Sequence, residues 1–258
     1  MKNINKYIFC MFIIALGLFF FTSLIFASKL IDQKHKRVKI ISKIKDYSVY
    51  ASFYANIYFT DGERNRIYAD TVANCIDFYA PMLYEDFSIP DPPKIDIIIY
   101  DNAEEMCRIL SINCDNIPMG IYYGEVINVL SPSEWIKHDE EVSIKKQFVR
   151  EGPLIHELSH YITDLKTGGN YSVWLTEGNA LYYENKYAAF ELRDDLKKAS
   201  ESISVDDLEN NFRDINESKA YRRSFDIIYD YVEKYGEAKM QNNLEKLKKG
   251  HRAKELFK

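Results

Sequence analysis

Twenty consecutive residues near the N-terminus, residues 8–27, carry no charge and read IFCMFIIALGLFFFTSLIFA. An α-helix of that length crosses the hydrocarbon core of a bilayer. A cleaved leader usually has a shorter apolar stretch and a small residue three positions before the cut, where this chain has the bulky Ile25. The sequence therefore predicts an uncleaved signal anchor over 1–27 with residues 7–27 at the membrane, a juxtamembrane linker or short helix over 28–45, and a domain over 46–258.

The charges that flank this run give conflicting indications of its orientation. Lys2 and Lys6 precede it, and a denser basic cluster follows it at Lys29, Lys34, Lys36, Arg37 and Lys39. The positive-inside rule would keep the domain in the cytoplasm. A short basic start followed at once by an apolar run is instead typical of an export signal. We expect a single-pass membrane protein with its domain outside the cytoplasm.

The composition narrows the class of protein. Hydrophobic residues make up 47% and charged residues 28% of the 258 residues, as in a globular protein. The net charge of -5 argues against a nucleic-acid partner. The four cysteines form no C-x-x-C pair, which argues against a cysteine-based zinc site. Buried free thiols at Cys75, Cys107 and Cys114 are expected, with a Cys107–Cys114 disulfide as the alternative in an exported domain.

Strand patterns are confined to the first half of the chain. The aromatic segment 48–59 predicts one strand, the apolar run 94–100 predicts a buried strand, and 120–131 predicts a strand with a bulge or tight turn at Gly124. Helical spacing predicts helices over 63–87 and 102–112 in the same half.

The second half of the chain has helical periodicity throughout. The predicted helices cover about 142–166 (with a break or restart at Gly152-Pro153), 174–190, 191–201, 217–235 and 237–249. This order of elements predicts an α+β fold with a small N-terminal sheet and a mostly helical C-terminal half.

The motif H-E-x-x-H lies in the first of these helices, at His156-Glu157-Leu158-Ser159-His160. Residues four apart share one face of a helix, so the two imidazoles can reach a single metal ion. Glu157 lies one position further round, where its carboxylate can activate a metal-bound water without binding the metal. Two inward-facing histidines could also be hydrogen-bonded core residues, but the acidic motif downstream favours a metal site.

A catalytic zinc needs a third protein ligand and a position for water. Glu177, in W-L-T-E-G-N-A, is the preferred candidate, because Gly168 and Gly169 let its helix fold back towards the histidines. Glu184 is an alternative ligand. Asp164 could contact a ligand or face solvent. We predict one Zn²⁺ per chain, held by His156, His160 and Glu177.

Three segments resemble the peptidase MA-like domain of the gluzincin zinc metallopeptidases. They are the H-E-L-S-H helix, the W-L-T-E-G-N-A helix, and the ending A-Y-x-x-S-F…Y-V-E-K-Y-G…L-E-K-L-K-K-G. The resemblance covers roughly 46–258, and it implies a zincin-like fold and zinc-dependent hydrolysis of peptide bonds. It also implies that Tyr122–Val129 is an edge strand that binds the peptide substrate, and that a downstream Tyr or His donates a hydrogen bond to the oxyanion. Tyr221 is preferred for that donor over His251.

The chain departs from the family pattern at two positions. The gluzincin pattern has an Asp four residues after the ligand Glu, where this chain has Leu181. The third His of the related metzincin pattern would fall at Lys166. Two rival functions remain: a non-catalytic membrane-anchored binding protein that keeps the fold, and a zinc hydrolase of a non-peptide substrate.

Overall fold

The structure, a computed structural model, describes residues 32–137, 140–192 and 195–257. These residues form a mixed α/β fold in which strands occupy the first half and helices the second. The strands are β1 (Ser48–Ala51), β2 (Ala55–Phe59), β3 (Ile95–Tyr100), β4 (Gly120–Tyr123) and β5 (Val126–Leu130). The helices are α1 (residues 32–43), α2 (Glu63–Asp86), α3 (Ala103–Leu110), α4 (Glu141–Glu151), α5 (Leu154–Thr167), α6 (Val173–Ala188), α7 (Asp195–Ser200), α8 (Val205–Asn211), α9 (Glu217–Tyr235), α10 (Glu237–Lys248) and α11 (Ala253–Leu256).

The five strands form one sheet in the order β1-β2-β3-β5-β4. Strands β2, β3 and β5 are parallel neighbours, whereas β1 and β4 pair antiparallel at the two edges. Every residue of β3 is buried, as expected for a central strand with covered faces. Strand β4 is therefore the edge that is nearest in sequence to the H-E-x-x-H helix.

The expectation of one strand over 48–59 is wrong, because the segment folds back on itself as the hairpin β1–β2. Its turn is held by Asp77 of α2. The Asp77 carboxylate accepts hydrogen bonds from the amides of Phe53 (3.1 Å) and Tyr54 (3.0 Å) and from the Ser52 hydroxyl (2.9 Å). A turn whose polar groups are satisfied by a distant helix leaves no local signal in a β-prone sequence.

The expectation of one strand over 120–131 is also wrong, since the segment forms the hairpin β4–β5. Of the two alternatives at Gly124, the tight turn is confirmed: Gly124 and Glu125 have φ values of 65° and 58°. Two consecutive residues with positive φ fit the two-residue turn that joins antiparallel strands. Of this segment, only Gly120–Tyr123 lies at an edge of the sheet, because Val126–Leu130 pairs with strands on both sides. The expectation of an edge strand over Tyr122–Val129 is therefore wrong for Val126–Val129.

The predicted helices of the second half are confirmed with shifts of a few residues, and the restart at Gly152-Pro153 is real: α4 ends before it and α5 begins after it. Of the predicted helix over 191–201, residues 191, 192 and 201 are not helical, and α7 covers Asp195–Ser200 among the described residues. Helix α8 was not predicted. It begins with a capping box in which Ser204 and Asp207 exchange hydrogen bonds.

The sheet has a hydrophobic core on each face. The larger core contains residues of α2, α5 and α6 against one face. The smaller core contains Ile40 of α1 and Met106 of α3 against Ile98 and Tyr100 of β3 on the other face. Helix α1 falls within the predicted linker, as the short helix allowed there, and it packs on the sheet.

Cys107 and Cys114 are joined by a disulfide, with their Cα atoms 5.7 Å apart. The expectation of three free thiols is therefore wrong for this pair, while Cys75 is free and buried. The pairing follows from the end of α3, where Ser111 adopts a left-handed conformation and turns the chain back. Within the described ranges, no helix is long and apolar enough to cross a membrane. The predicted anchor over 1–27 lies outside the described residues.

Candidate metal centre

Helix α5 has both histidines on one face, and its opposite face packs in the larger core. Leu154, Leu158 and Ile162 are each at most 1% exposed and hold the helix against its neighbours. The His156 and His160 rings then lie side by side, with centroids 4.6 Å apart. This is the arrangement that the four-residue spacing predicts.

Helix α6 brings Glu177 to the two histidines. Its Oε2 atom lies 3.3 Å from His156 Nε2 and 3.6 Å from His160 Nε2. One ligand atom from each of the three residues lies within 4.8 Å of the other two, and they are the one such group among the described residues. The Glu177 Oε2 atom is buried and has no hydrogen-bond partner. A buried carboxylate oxygen of this kind is stabilised by a cation.

The position of α6 depends on two close contacts. The buried Asn179 side chain donates a hydrogen bond to Thr163 of α5 at 2.8 Å. On the other side, a Cβ atom at Gly178 would lie 2.4 Å from the Ser224 carbonyl oxygen of α9. The glycine that follows Glu177 therefore allows α9 to pack directly on α6 next to the candidate ligand.

Glu157 lies beside the three residues and outside the group that they form. Its carboxylate accepts a hydrogen bond of 2.6 Å from the backbone N–H of Tyr122 in β4. Burial raises the pKa of Glu157 to about 7. A carboxylate with this pKa can both take up and release a proton near neutral pH.

The second nitrogen of each imidazole is also bound. His156 Nδ1 lies 3.0 Å from the Glu184 carboxylate, and His160 Nδ1 lies 2.7 Å from the Thr176 hydroxyl. With Nδ1 bound in this way, the Nε2 atoms of both histidines face Glu177. Glu184, the alternative third ligand, instead contacts a histidine from behind. Such contacts orient ligating histidines in metal proteins.

The charges in this cluster shift the pKa values of its members in opposite directions. Burial alone would lower the pKa of His156, but the carboxylates of Glu177 and Glu184 outweigh burial and raise it. Burial lowers the pKa of His160 to about 4. Burial alone would raise the pKa of Glu177, but the neighbouring histidines outweigh it and lower that pKa. The cluster thus holds Glu177 as an anion and His160 as a neutral imidazole, the forms that bind a metal.

Tyr221, the preferred oxyanion donor, lies at the site. It lines a cavity of about 440 Å³ together with Gly120, His156, Glu157 and Glu177. The Glu177 carboxylate lines the same cavity. Burial and this carboxylate raise the pKa of Tyr221, so its hydroxyl keeps its proton. His251 is exposed, and its backbone carbonyl accepts a hydrogen bond from the Asn170 side chain at 3.3 Å.

Asp164 contacts neither histidine among the contacts of the described residues. It accepts a hydrogen bond from the Tyr122 hydroxyl at 2.8 Å, and burial raises its pKa. Asp164 therefore links α5 to the side chain of Tyr122 in β4, the residue whose backbone amide binds Glu157.

Sequence reasoning did not assign three contacts of the site: those of Thr176, of Glu184 (considered only as a ligand) and of the Tyr122 amide. Thr176 precedes Glu177 directly, and Glu184 follows it by seven residues, which is two turns of a helix. Their spacing from Glu177 along the helix therefore indicated that both residues lie near the histidines. The Tyr122 amide could not be found in this way, because its direction depends on which strand lies at the edge of the sheet.

Comparison with known families agrees with this geometry. The family model described as the peptidase MA superfamily matches residues 90–258, which is more than half of the chain. No curated protein and no solved structure gives a significant match. The matched region includes β3 to β5 and every helix that contributes to the site. With two helical histidines and a glutamate converging beside Glu157, and with this match, the chain belongs to the peptidase MA superfamily.

Proposed function

We propose that the protein is a membrane-anchored zinc metallopeptidase of the gluzincin type, with His156, His160 and Glu177 as zinc ligands and Glu157 as general base. The observation that carries the proposal is the convergence of three ligand atoms within 4.8 Å, with Glu157 beside them and outside the set. Two imidazole nitrogens and one carboxylate oxygen are a common donor set for catalytic zinc. The buried, unpartnered Glu177 Oε2 fits that role.

Zinc bound by these residues would polarise the scissile carbonyl and lower the pKa of water towards 7. Glu157 would take the proton of the attacking water and pass it to the leaving amine nitrogen. The Tyr122 amide holds Glu157 in one orientation at 2.6 Å, so the carboxylate is directed before substrate arrives. The Tyr221 hydroxyl would donate a hydrogen bond to the carbonyl oxygen as that oxygen gains negative charge.

Peptides are the proposed substrates because β4 is an edge strand that lines the cavity at Gly120, Ile121 and Tyr122. The Met119 carbonyl accepts from the Leu130 amide, so odd-numbered residues of this segment direct their backbone groups towards β5. The alternation along a strand leaves the groups of Gly120 and Tyr122 facing outward. Because the Tyr122 amide is already donated to Glu157, an extended peptide would pair with the Gly120 groups and the Tyr122 carbonyl.

We also propose that residues 7–27 anchor the protein and that the domain lies outside the cytoplasm. The uncharged run 8–27 supports the anchor. The Cys107–Cys114 disulfide supports the extracytoplasmic side, because disulfides persist mainly in oxidising compartments. Protease treatment of intact cells tests the side: a domain that is degraded only after lysis would be cytoplasmic.

The enzymatic proposal is tested with the full-length protein in detergent, by elemental analysis and by digestion of a peptide library with and without a chelator. We expect one zinc per chain and chelator-sensitive cleavage. Glu157→Gln should keep zinc and lose about 10²–10⁴-fold in hydrolysis, whereas His160→Ala should lose both. Glu191→Gln, which neutralises an exposed carboxylate just after α6, is the matched control and should change neither.

Three outcomes would redirect the proposal. Failure to take up zinc at micromolar supply would contradict the metal site. One bound zinc without any peptide cleavage would favour the non-catalytic binding protein. Near-normal turnover by Glu157→Gln would reject Glu157 as the base.

A further inference from the structure

Helix α1 is fixed to the turn between β4 and β5. The Gly124 amide donates a hydrogen bond to the Gln33 side chain at 3.1 Å. The Lys36 ammonium lies 4.9 Å from the centre of the Tyr123 ring. A Cβ atom at Gly124 would lie 2.9 Å from Lys36 Cβ and 3.1 Å from the Arg37 backbone nitrogen. The helix and the turn are thus in direct contact, with no room for a side chain between them.

The rest of α1 is held by the smaller core. Ile40 and Ile44 are 2% and 3% exposed. The Arg37 guanidinium donates a hydrogen bond of 3.1 Å to the buried Asp96 of β3. The Lys43 ammonium donates one of 2.6 Å to the Ile109 carbonyl of α3. A helix held by a core, an ion pair and a turn moves with the domain and does not act as a free linker.

The N-terminal end of α1 lies at a second cavity that borders the candidate metal centre. Asp32 and Gln33 line a cavity of about 580 Å³ that is also lined by Tyr122, His160 and Glu177. The point where the chain enters the domain therefore shares a cavity with two of the candidate zinc ligands, His160 and Glu177.

The distance from this point to the apolar run is short. The run ends at Ala27, five residues before Asp32. Five residues span at most about 18 Å when fully extended. The headgroup layer takes up roughly 5–8 Å of that distance. With residues 7–27 as the anchor proposed above, Asp32 at the edge of the cavity lies within about 10–13 Å of the headgroups.

We infer that α1 holds the catalytic cleft at the membrane surface, and that the substrates are membrane-proximal peptide segments of proteins that are themselves embedded in or attached to the bilayer. This inference rests on the proposed function. The first ten or so residues of a substrate outside the bilayer span roughly 35 Å when extended, which is long enough to reach the cavity and lie in it. Peptide segments that a folded substrate holds further from the membrane lie outside this distance.

The placement is tested by energy transfer in proteoliposomes that carry acceptor dyes on lipid headgroups. A donor dye is attached to one introduced cysteine in a Cys10→Ser background, because Cys75 is buried and Cys107 and Cys114 are paired. Val173→Cys puts the dye in the cavity beside Asp32, at a residue that is 41% exposed. Phe78→Cys is the control: it is 61% exposed on α2, across the sheet from α1.

We expect stronger transfer from position 173 than from position 78. A spacer of 30 Gly and Ser residues, inserted between Lys29 and Leu30, adds an average reach of about 30 Å. It should lower transfer from position 173 and bring the two positions close to equality. Equal transfer from both positions without the spacer, or stronger transfer from position 78, would overturn the placement.

The substrate class is tested with single-pass reporters in the same vesicles. Each reporter stalk repeats a peptide that the enzyme cleaves in the library digest. We expect cuts within about ten residues of the bilayer, and cuts further out when the spacer is present. Equal cleavage along the whole stalk by the enzyme without the spacer would overturn the inference. The absence of any cleavage, with the transfer pattern intact, would contradict the peptidase proposal and leave the placement standing.

Discussion

The carboxylate of Glu184 lies 3.0 Å from Nδ1 of His156, two helical turns beyond Glu177 on the same helix. The gluzincin pattern has an Asp one turn after the ligand Glu, where this chain has the buried Leu181. The acid that contacts a histidine has thus moved by three residues along one face of α6. Glu184 is therefore the partner of His156, although position 181 is Leu.

Loss of Glu184 should weaken zinc binding. Removing the partner of a ligating histidine typically costs 10–100-fold in metal affinity, so we expect a loss of this size in Glu184→Ala. Competition against a chelator of known zinc affinity measures it. Glu191→Ala, an exposed acid close in sequence, should bind zinc like the parent protein. Equal affinity in both variants would contradict the role of Glu184.

Removal of the Tyr221 hydroxyl should slow turnover without releasing zinc. Tyr221→Phe keeps the ring, which packs near Phe212, and removes only the proposed donor. Loss of one oxyanion donor should cost about 10²–10³-fold in kcat. The matched control is Tyr229→Phe on the same helix, where the ring is 38% exposed and packs on Phe225. Normal kcat in Tyr221→Phe would pass the role to another residue.

Gly178→Ala should destabilise the protein, although alanine favours a helix. In a free helix the change would stabilise by about 1 kcal/mol. Here the new methyl group would lie 2.4 Å from the Ser224 carbonyl oxygen, a backbone atom that cannot turn away. Overpacking typically costs about 1–3 kcal/mol. We therefore expect a lower Tm, and lower hydrolysis because α9 carries Tyr221. A Tm at or above that of the parent protein would show that α9 can move without cost.

The ion pair between Asp70 of α2 and Lys145 of α4, 2.8 Å apart, should make stability depend on pH. The hydrogen bond from Lys145 holds the pKa of Asp70 below its ordinary value of 3.8. A depressed carboxylate pKa stabilises the folded state above the unfolded pKa, and this stabilisation is lost as pH falls through the folded pKa. Because both side chains are about a third exposed, we expect only about 0.5 kcal/mol.

Urea unfolding of Asp70→Asn at two pH values measures this contribution. The free energy of unfolding should fall below that of the parent protein at pH 7, and the difference should vanish towards pH 2. Asp91→Asn, at an exposed loop position, should show no such pattern. A difference of the same size at both pH values would mean that the ion pair is not its cause.

More of the candidate site than of the sheet could be predicted from the sequence. His156, Glu157 and His160 depend on spacing within one helix, and Glu177 needs only one turn at Gly168 and Gly169 to reach them. The strands depend on distant partners instead. The hairpin turn at Ser52 is held by Asp77, some 25 residues away. A β-prone run without turn residues therefore looks like one strand in the sequence.

The disulfide and α8 show two further limits. Whether Cys107 and Cys114 meet depends on the single left-handed residue Ser111, which no periodicity indicates. Helix α8 has seven residues, too few to show helical periodicity. Its capping box at Ser204 and Asp207 was visible in the sequence and could have revealed it.

The Tyr122 amide has one proton, and Glu157 already accepts it. A peptide that pairs with β4 must either leave that donor unused or draw it away from the general base. Substrate affinity and base alignment are therefore thermodynamically coupled through one backbone group. Ligands that bind tightly by completing the strand pairing would misalign Glu157, whereas productive substrates must gain their affinity elsewhere in the cleft. Inhibition by strand-forming peptides and turnover of good substrates should accordingly follow different sequence preferences.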